Sequence, residues 1–280
     1  MSQAKYLSSL IFKLLSLCFV MLLVPASFSD AESGKGLIDI DALTLTAETG
    51  DPESQFELAR LYDEGDGVDE NNATAVDWYR KAAEQGYAKA QGYLSEMYFL
   101  GEGVEVDDEQ GVYWARKAAD QGDALGQNNV GFGYESGRGL TMDKSKAVEW
   151  YRKSAEQGFA MGQVSLASMY YLGEGVDENN EMVVYWIRKA AEQGDARGQT
   201  AFGELYESGD GVTLDKTKAF EWFKKAADQG DKKAEERFEI LMLLAINQAV
   251  EKGQFPYQGK LDYMTRLEPW QIKEANHYFK

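Results

Sequence analysis

Hydrophobic and polar positions recur along most of the chain with a period of 36 residues. The clearest marker is a tryptophan that begins the stretch WYRKAAEQG and has close copies at Trp78, Trp114, Trp150, Trp186 and Trp222. Repeats 1 to 5 therefore tile residues 50–85, 86–121, 122–157, 158–193 and 194–229 without a gap. A period of this length predicts a small supersecondary unit that stacks on copies of itself.

The first half of each repeat has the pattern of an amphipathic helix. A large apolar residue is followed four positions later by a tyrosine, which keeps both side chains on one helical face. A small residue stands directly after the apolar one and would let two helices approach closely. The apolar–tyrosine pairs are Leu58/Tyr62, Leu94/Tyr98, Val130/Tyr134, Leu166/Tyr170 and Phe202/Tyr206.

A loop of the form GxGV or GxGL is predicted to end this first helix. Glycine adopts the left-handed conformation that ends a helix, and the following valine or leucine can pack against the last turn. A phosphate-binding glycine loop would instead need a strand before it. The second helix then runs through a pair of small residues to a closing glycine, at Gly86, Gly122, Gly158, Gly194 and Gly230.

The repeated tryptophan is predicted to fill the space between neighbouring repeats. A two-helix hairpin of this size cannot bury its own apolar face and must stack on a copy. A tryptophan buries about 150–250 Å², and each one here stands one turn before the small pair that marks a buried helix face. The alternative interpretation is an aromatic ladder for bases or sugars.

The combined pattern A/G-Q-x-x-L/V-G-x-x-Y-x-x-G-x-G-V and W-Y-R-K-A-A-E-Q-G resembles the Sel1-like repeat, a relative of the tetratricopeptide repeat. The resemblance covers about two thirds of the chain in five consecutive copies. It implies an all-α fold, a right-handed α/α superhelical solenoid of five to six two-helix repeats with N- and C-terminal capping helices. It also implies a role in protein–protein contacts. Departures are mild: Val130 and Phe202 stand in place of leucine and Ser154 in place of alanine.

A second level of repetition spans two repeats. Repeat 4 closely echoes repeat 2, and repeat 5 echoes repeat 3. The loops between the two helices consequently run acidic, acidic, basic, acidic and basic along one edge of the predicted stack. The sequence leaves two candidate binding faces, this loop edge and the concave groove of the predicted stack.

The segments that flank the repeats are predicted to cover the ends of the stack, because terminal repeats need a polar outer side. Residues 30–49 supply an N-terminal capping helix. Residues 230–252 form a degenerate sixth repeat with a longer helix, and residues 253–280 form a turn and a C-terminal capping helix.

Residues 1–29 have the order of a cleaved secretory signal: two lysines, an apolar run at 14–24, and small residues. This run of eleven residues is too short to span a bilayer, which takes about 20. We expect cleavage after Ser29 or Ala31, export to the periplasm or the medium, and no stable membrane insertion afterwards. Cys18, the only cysteine, lies in this segment, so the mature chain would have neither a thiol nor a disulfide.

Charge and composition exclude several classes of function. The chain has 47 acidic and 29 basic residues, a net charge of −18, which argues against a nucleic-acid partner. One histidine, His277, and no cysteine after processing leave no nucleophile–histidine pair and no zinc ligand set. We therefore expect no catalytic residues, no cofactor and no metal. Asn72 lies in an Asn-x-Thr sequon, which matters only in a eukaryotic source.

By analogy with tetratricopeptide proteins, the first helices should line a concave groove that binds the partner. The helix face opposite the apolar–tyrosine stripe varies among repeats and carries large apolar side chains that a solvated face would not need. Phe56 has a second interpretation, packing between neighbouring first helices. The candidate groove residues are Phe56, Arg60, Glu96, Phe99, Leu125, Asn128, Phe132, Met161, Ser168, Tyr171, Arg197 and Glu204.

These observations favour an exported, non-catalytic and monomeric scaffold that binds a protein or peptide in its groove. The alternative is a secreted protein that binds or hydrolyses cell-wall material of the peptidoglycan type, because some secreted cysteine-rich relatives have been linked to such ligands. The missing cysteines weaken that analogy.

Overall fold

The computed structural model describes residues 39–251, and every regular element in that range is an α-helix. The predicted signal segment at residues 1–29 and the predicted C-terminal cap at 253–280 lie outside the described residues. The helices are α1 (Ile40–Glu48), α2 (Pro52–Glu64), α3 (Asn72–Glu84), α4 (Ala88–Leu100), α5 (Asp108–Asp120), α6 (Ala124–Ser136), α7 (Lys144–Glu156), α8 (Ala160–Leu172), α9 (Asn180–Glu192), α10 (Ala196–Ser208), α11 (Lys216–Ala227) and α12 (Lys232–Glu251).

Helices α1 to α11 belong to one compact body. Within it each helix packs against the next along the chain, and α2/α3, α4/α5, α6/α7, α8/α9 and α10/α11 are the helix pairs of repeats 1 to 5. This confirms a solenoid of stacked two-helix repeats. Helix α1 contacts α2. Helix α12 belongs to a second body and, at 20 residues, is longer than the repeat helices.

An Asp or Asn N-cap fixes the start of most helices. The carboxylate of Asp123 accepts the backbone N–H of Gly126 at 2.7 Å, and the side chain of Asn71 accepts that of Thr74 at 3.0 Å. Such caps satisfy N–H groups that have no partner within the helix. Because the caps recur with the repeat, they hold every hairpin in the same register.

The GxG loops end the first helices, as predicted, and also hold adjacent repeats together. Gly137 takes φ 77°, and its N–H donates to the carbonyl of Gly133. Gly139, at φ 64°, lies so close to the start of α5 in the preceding repeat that a Cβ would sit 2.3 Å from the carbonyl oxygen of Asp108. Only glycine allows both the backbone angle and this approach.

In repeats 1, 3 and 5 the most deeply buried aromatic residue is the one after the tryptophan. Tyr79, Tyr151 and Phe223 are almost fully buried, whereas the tryptophans that precede them are only half-buried. Gly131 makes the room, because a Cβ there would lie 2.7 Å from the ring of Tyr151. The prediction that the tryptophan fills the gap is therefore correct in full only for Trp114 and Trp186, which are buried.

Each half-buried tryptophan instead has a lysine over its indole ring. In repeats 1, 3 and 5 a lysine three residues later lies over the indole ring, with its Nζ 3.5–3.8 Å from the ring centroid. Such cation–π contacts contribute roughly 0.5–1 kcal/mol at exposed sites. Trp150 still packs against Ala115, Ala119 and Val130, which belong to two neighbouring repeats.

The two-repeat level of repetition corresponds to an alternation in which aromatic residue of the second helix is buried. In repeats 1 and 3 the hydroxyl of the tyrosine after the tryptophan donates to a carboxylate on the first helix: Tyr79 to Asp63, and Tyr151 to Glu135. Burial is the main reason why the pKa of both tyrosines is raised. Repeats 2 and 4 have alanine and isoleucine at that position, and their tryptophans move inward.

A ladder of glutamines, which the sequence interpretation missed, links successive repeats. Gln163 on α8 is buried; its Oε1 accepts from Gln193 Nε2 at 2.9 Å, and its Nε2 donates to the carbonyl of Ala155 in the preceding repeat at 3.3 Å. Buried amides are costly unless paired. The bond to the preceding repeat therefore fixes the distance between neighbouring repeats. Apolar contacts alone cannot do this because they have no preferred direction. The two glutamines of a pair lie in one repeat and join its two helices, whereas the bond to the alanine carbonyl crosses to the preceding repeat; the pairs are Gln55/Gln85, Gln91/Gln121, Gln127/Gln157, Gln163/Gln193 and Gln199/Gln229.

The loop charges along the edge of the stack pair with each other between repeats. Arg138 of repeat 3 contacts Asp108 of repeat 2, with Nε 2.8 Å from Oδ1. Lys144 of repeat 3 contacts Glu174 of repeat 4 at 2.7 Å. Each pair is about one third exposed, so each contributes at most about 1 kcal/mol. In these repeats the charged loop residues are therefore already paired with residues of a neighbouring repeat.

We predict that Tyr151→Ala destabilises the protein more than Trp150→Ala. Removing a buried aromatic side chain costs about 3–5 kcal/mol, and this change also leaves Glu135 without its hydrogen-bond donor. The indole of Trp150 is partly solvated already, so its removal should cost roughly half as much. Chemical denaturation of the two variants measures the difference. An equal or reversed order would contradict the assignment of the buried position.

Candidate partner-binding surface on the first helices

The first helices form the closer-packed layer of the stack. Helix α4 contacts α6, α6 contacts α8 and α8 contacts α10, whereas the second helices of successive repeats do not contact each other to a comparable extent. A stack with one more closely spaced layer curves towards that layer. We infer that α2, α4, α6, α8 and α10 line the inner side, which is called the inner surface below.

The structure divides the predicted groove residues by depth. Phe56, Phe99, Leu125 and Asn128 are buried. Phe56 lies among the rings of Tyr79, Tyr87 and Tyr93, with centroids 5.4–5.7 Å apart, which is the second interpretation weighed for it. Of the remaining candidates, Arg60, Glu96, Phe132, Met161 and Glu204 are half-buried, and Ser168, Tyr171 and Arg197 are exposed. A partner can reach only this second group.

Phe132 is held rigidly in a small aromatic cluster. Its ring meets that of Phe99 edge to face, with centroids 5.3 Å apart. The guanidinium of Arg138 lies 5.6 Å from the Phe132 ring and donates to the carbonyl of Phe99 at 2.7 Å. In the sequence this arginine is visible only as part of the basic loop of repeat 3. A ring fixed in this way loses little conformational entropy when a partner binds.

Tyr171 is exposed because its repeat has no room for it. The equivalent aromatic residue of repeat 2, Phe99, is 4% exposed, whereas Tyr171 is 53% exposed. Phe99 turns inward over Gly111, where a Cβ would lie 2.9 Å from its ring. In repeat 4 the buried Val183 stands in the position of Gly111. Aligning the repeats by sequence shows that Gly111 is replaced by Val183. The consequence for the aromatic residue is recognised only once the structure shows that Gly111 and Phe99 are in contact.

Glu96 is the carboxylate of the inner surface with the most unusual environment. Burial raises the pKa of Glu96, the charges of Glu102 and Asp63 raise it further, and Arg197 lowers it. Arg197 lies on α10, three repeats away, so α4 and α10 face each other across the inner surface. By contrast, Arg60 contacts Glu64 at 3.2 Å and Glu57 at 3.8 Å on its own helix.

Two other features are absent from residues 39–251. No cluster of three or more His, Cys, Asp or Glu side chains in this range could hold a metal ion. None of the helices in this range has the length and apolar character needed to cross a membrane.

Solved structures with this fold come from several bacteria. A Sel1 repeat protein from Oxalobacter formigenes is 32% identical, with a TM-score of 0.58 over 70% of this chain. The antigen c5321 of uropathogenic Escherichia coli, described as having an SLR fold, is 31% identical, with a TM-score of 0.50 over 78%. This chain spans 57% of each of those two chains. A Klebsiella pneumoniae protein at 20% identity, with a TM-score of 0.52 over 72% of this chain and 98% of its own, shows the fold alone.

The repeats also match a family model one by one. The Sel1 repeat model matches residues 52–87, 88–123, 124–159, 160–195 and 196–231, each beginning with a first helix. No curated protein sequence matches the chain significantly. Since the five matches cover well over half of the sequence, the chain belongs to the Sel1 repeat family.

Proposed function

We propose that this protein is an exported, non-catalytic scaffold that binds a protein or peptide segment along the inner surface. Sel1 repeats generally form non-catalytic scaffolds that mediate protein–protein interaction. The observation that carries the proposal is the state of Tyr171: an aromatic side chain on the first helix α8 that is 53% exposed and lies outside the core. Exposed aromatic side chains on rigid elements are the usual anchors of protein interfaces.

The inner surface combines such anchors with charge. Phe132 on α6 and Met161 on α8 are half-buried and Tyr171 on α8 is exposed, while Glu96 and Arg197 contribute charge from α4 and α10. An interface of this composition, with an apolar centre and a polar rim, suits an extended or helical segment with apolar side chains. The acidic excess of the chain favours a partner segment with basic residues.

We predict that Tyr171→Ala abolishes capture of the partner without changing stability. The ring is 53% exposed, so its loss should change the melting temperature little, whereas loss of an anchor costs an interface about 2 kcal/mol or more. The measurement is affinity capture from an extract of the source organism's envelope, alongside a thermal melt.

Tyr113→Ala is the matched control for this experiment. Tyr113 is 47% exposed and lies on the second helix of repeat 2, away from the inner surface, so capture should persist. Equal loss in both variants, or no loss in either, would contradict the proposed surface. Stabilisation of the protein by wall fragments alone would favour the cell-wall alternative.

Export is the second part of the proposal. It is supported by the sequence of residues 1–29, in which two lysines, an apolar run and small residues follow one another as in a secretory signal. The protein isolated from its source should then begin at Asp30 or Glu32, as N-terminal sequencing would reveal. A chain that retains residues 1–29 would contradict export by this route.

A further inference from the structure

Glu96 lies in a position that an ionised carboxylate occupies only at a cost. It is half-buried on α4, and over residues 39–251 it accepts no hydrogen bond and forms no ion pair. Two further carboxylates, Asp63 and Glu102, act on it. Burial without a partner penalises the charged form of such a group.

Arg197 does not relieve this cost. Although its charge reaches Glu96 from across the inner surface, its Nη2 lies 3.1 Å from the carboxylate of Asp195, with which it forms an ion pair. The local balance near Glu96 is therefore three carboxylates against one guanidinium that already has a carboxylate of its own. This arrangement favours the approach of a cation from outside the chain.

One repeat along the chain, the position of Glu96 is occupied by Phe132. Both residues lie on first helices that contact each other, α4 and α6. Packed helices lie about 8–10 Å apart, and an extended chain advances about 3.3 Å per residue. An extended segment that crosses the two helices would therefore bring side chains about three residues apart to the two positions.

The row of equivalent positions has a defined order from repeat to repeat. It reads Arg60, Glu96, Phe132, Ser168 and Glu204. Arg60 is engaged by two glutamates of its own helix, and Ser168 is small and exposed. The selective pair in the middle of the row is thus Glu96 followed by Phe132.

We propose that the inner surface selects an extended peptide segment in which a lysine or arginine stands three residues from a large apolar residue. The basic group binds at Glu96 and the apolar side chain at Phe132. This rests on the proposed function and specifies the chemistry of its partner. The partner's cation would supply the counter-charge that the chain itself does not give Glu96, and the rigid Phe132 cluster would supply the apolar anchor.

Selection from a random peptide library on the full mature chain tests this proposal. We expect enrichment of peptides that carry a basic and a large apolar residue three positions apart. The variant Glu96→Gln should lose the basic preference and keep the apolar one. For a selected peptide made with a fluorescent label, this variant should weaken binding roughly tenfold.

Glu156→Gln is the matched control, because it removes the same charge from an exposed site on the second helix α7. It should leave both preferences intact. Enrichment of apolar residues without basic ones would overturn the Glu96 assignment and leave the proposed function standing. No enrichment at all would overturn the selection of a peptide segment, and the capture experiment with Tyr171→Ala would then decide the proposed function separately.

A stability measurement tests the same assignment independently. Because the pKa of Glu96 is raised in the folded protein, the folded state holds the proton more tightly than the unfolded state does. Stability contributed by this group is lost as the pH rises through that pKa. Glu96→Gln should therefore raise the melting temperature near neutral pH and have no effect well below the ordinary glutamate pKa. A lower melting temperature at neutral pH would show that Glu96 has a favourable partner within the chain, which would overturn the proposal.

Discussion

The contact between one helical hairpin and the next is the interaction on which the rest of this protein depends. A hairpin of 36 residues has too little interior to be stable alone, so its apolar face becomes a core only when a neighbour covers it. Two kinds of interaction make the contact. Buried alanines and aromatic rings such as Tyr151 supply the apolar area. Glutamines such as Gln163 supply hydrogen bonds across the boundary. The apolar part is non-directional, so the polar part has to set the spacing.

The same contact explains why the inner surface is free to differ from repeat to repeat. Stacking uses the apolar–tyrosine stripe, the small residues and the glutamine ladder, which lie on other faces of the first helix. What remains is decided by local room: Gly111 lets Phe99 turn inward, whereas Val183 keeps Tyr171 outside. A single substitution on the second helix thus changes which side chains the first helix exposes.

At Glu96 a loss of stability in the free protein is linked to the proposed binding of a partner's cation. A carboxylate without a counter-ion in a half-buried position lowers the stability of the free protein, and binding of a cation would recover that loss. Sites of this kind are marked by a polar group whose partner is missing from the chain, while structural pairs such as Arg138 and Asp108 are complete within it. The distinction separates the loop edge, where charges pair between repeats, from the inner surface.

The sequence by itself determined the helices, their pairing and the number of repeats, because a fixed period with glycine stops and capping residues leaves one arrangement that buries every apolar face. It also indicated which helix face varies. It could not determine how deeply individual side chains are buried. Whether Trp150 or Tyr151 enters the core, whether Phe56 or Tyr171 is exposed, and whether Arg138 and Asp108 pair all depend on distances between residues of different helices. Those distances are set by the room that each neighbour leaves, and only the tertiary structure supplies them.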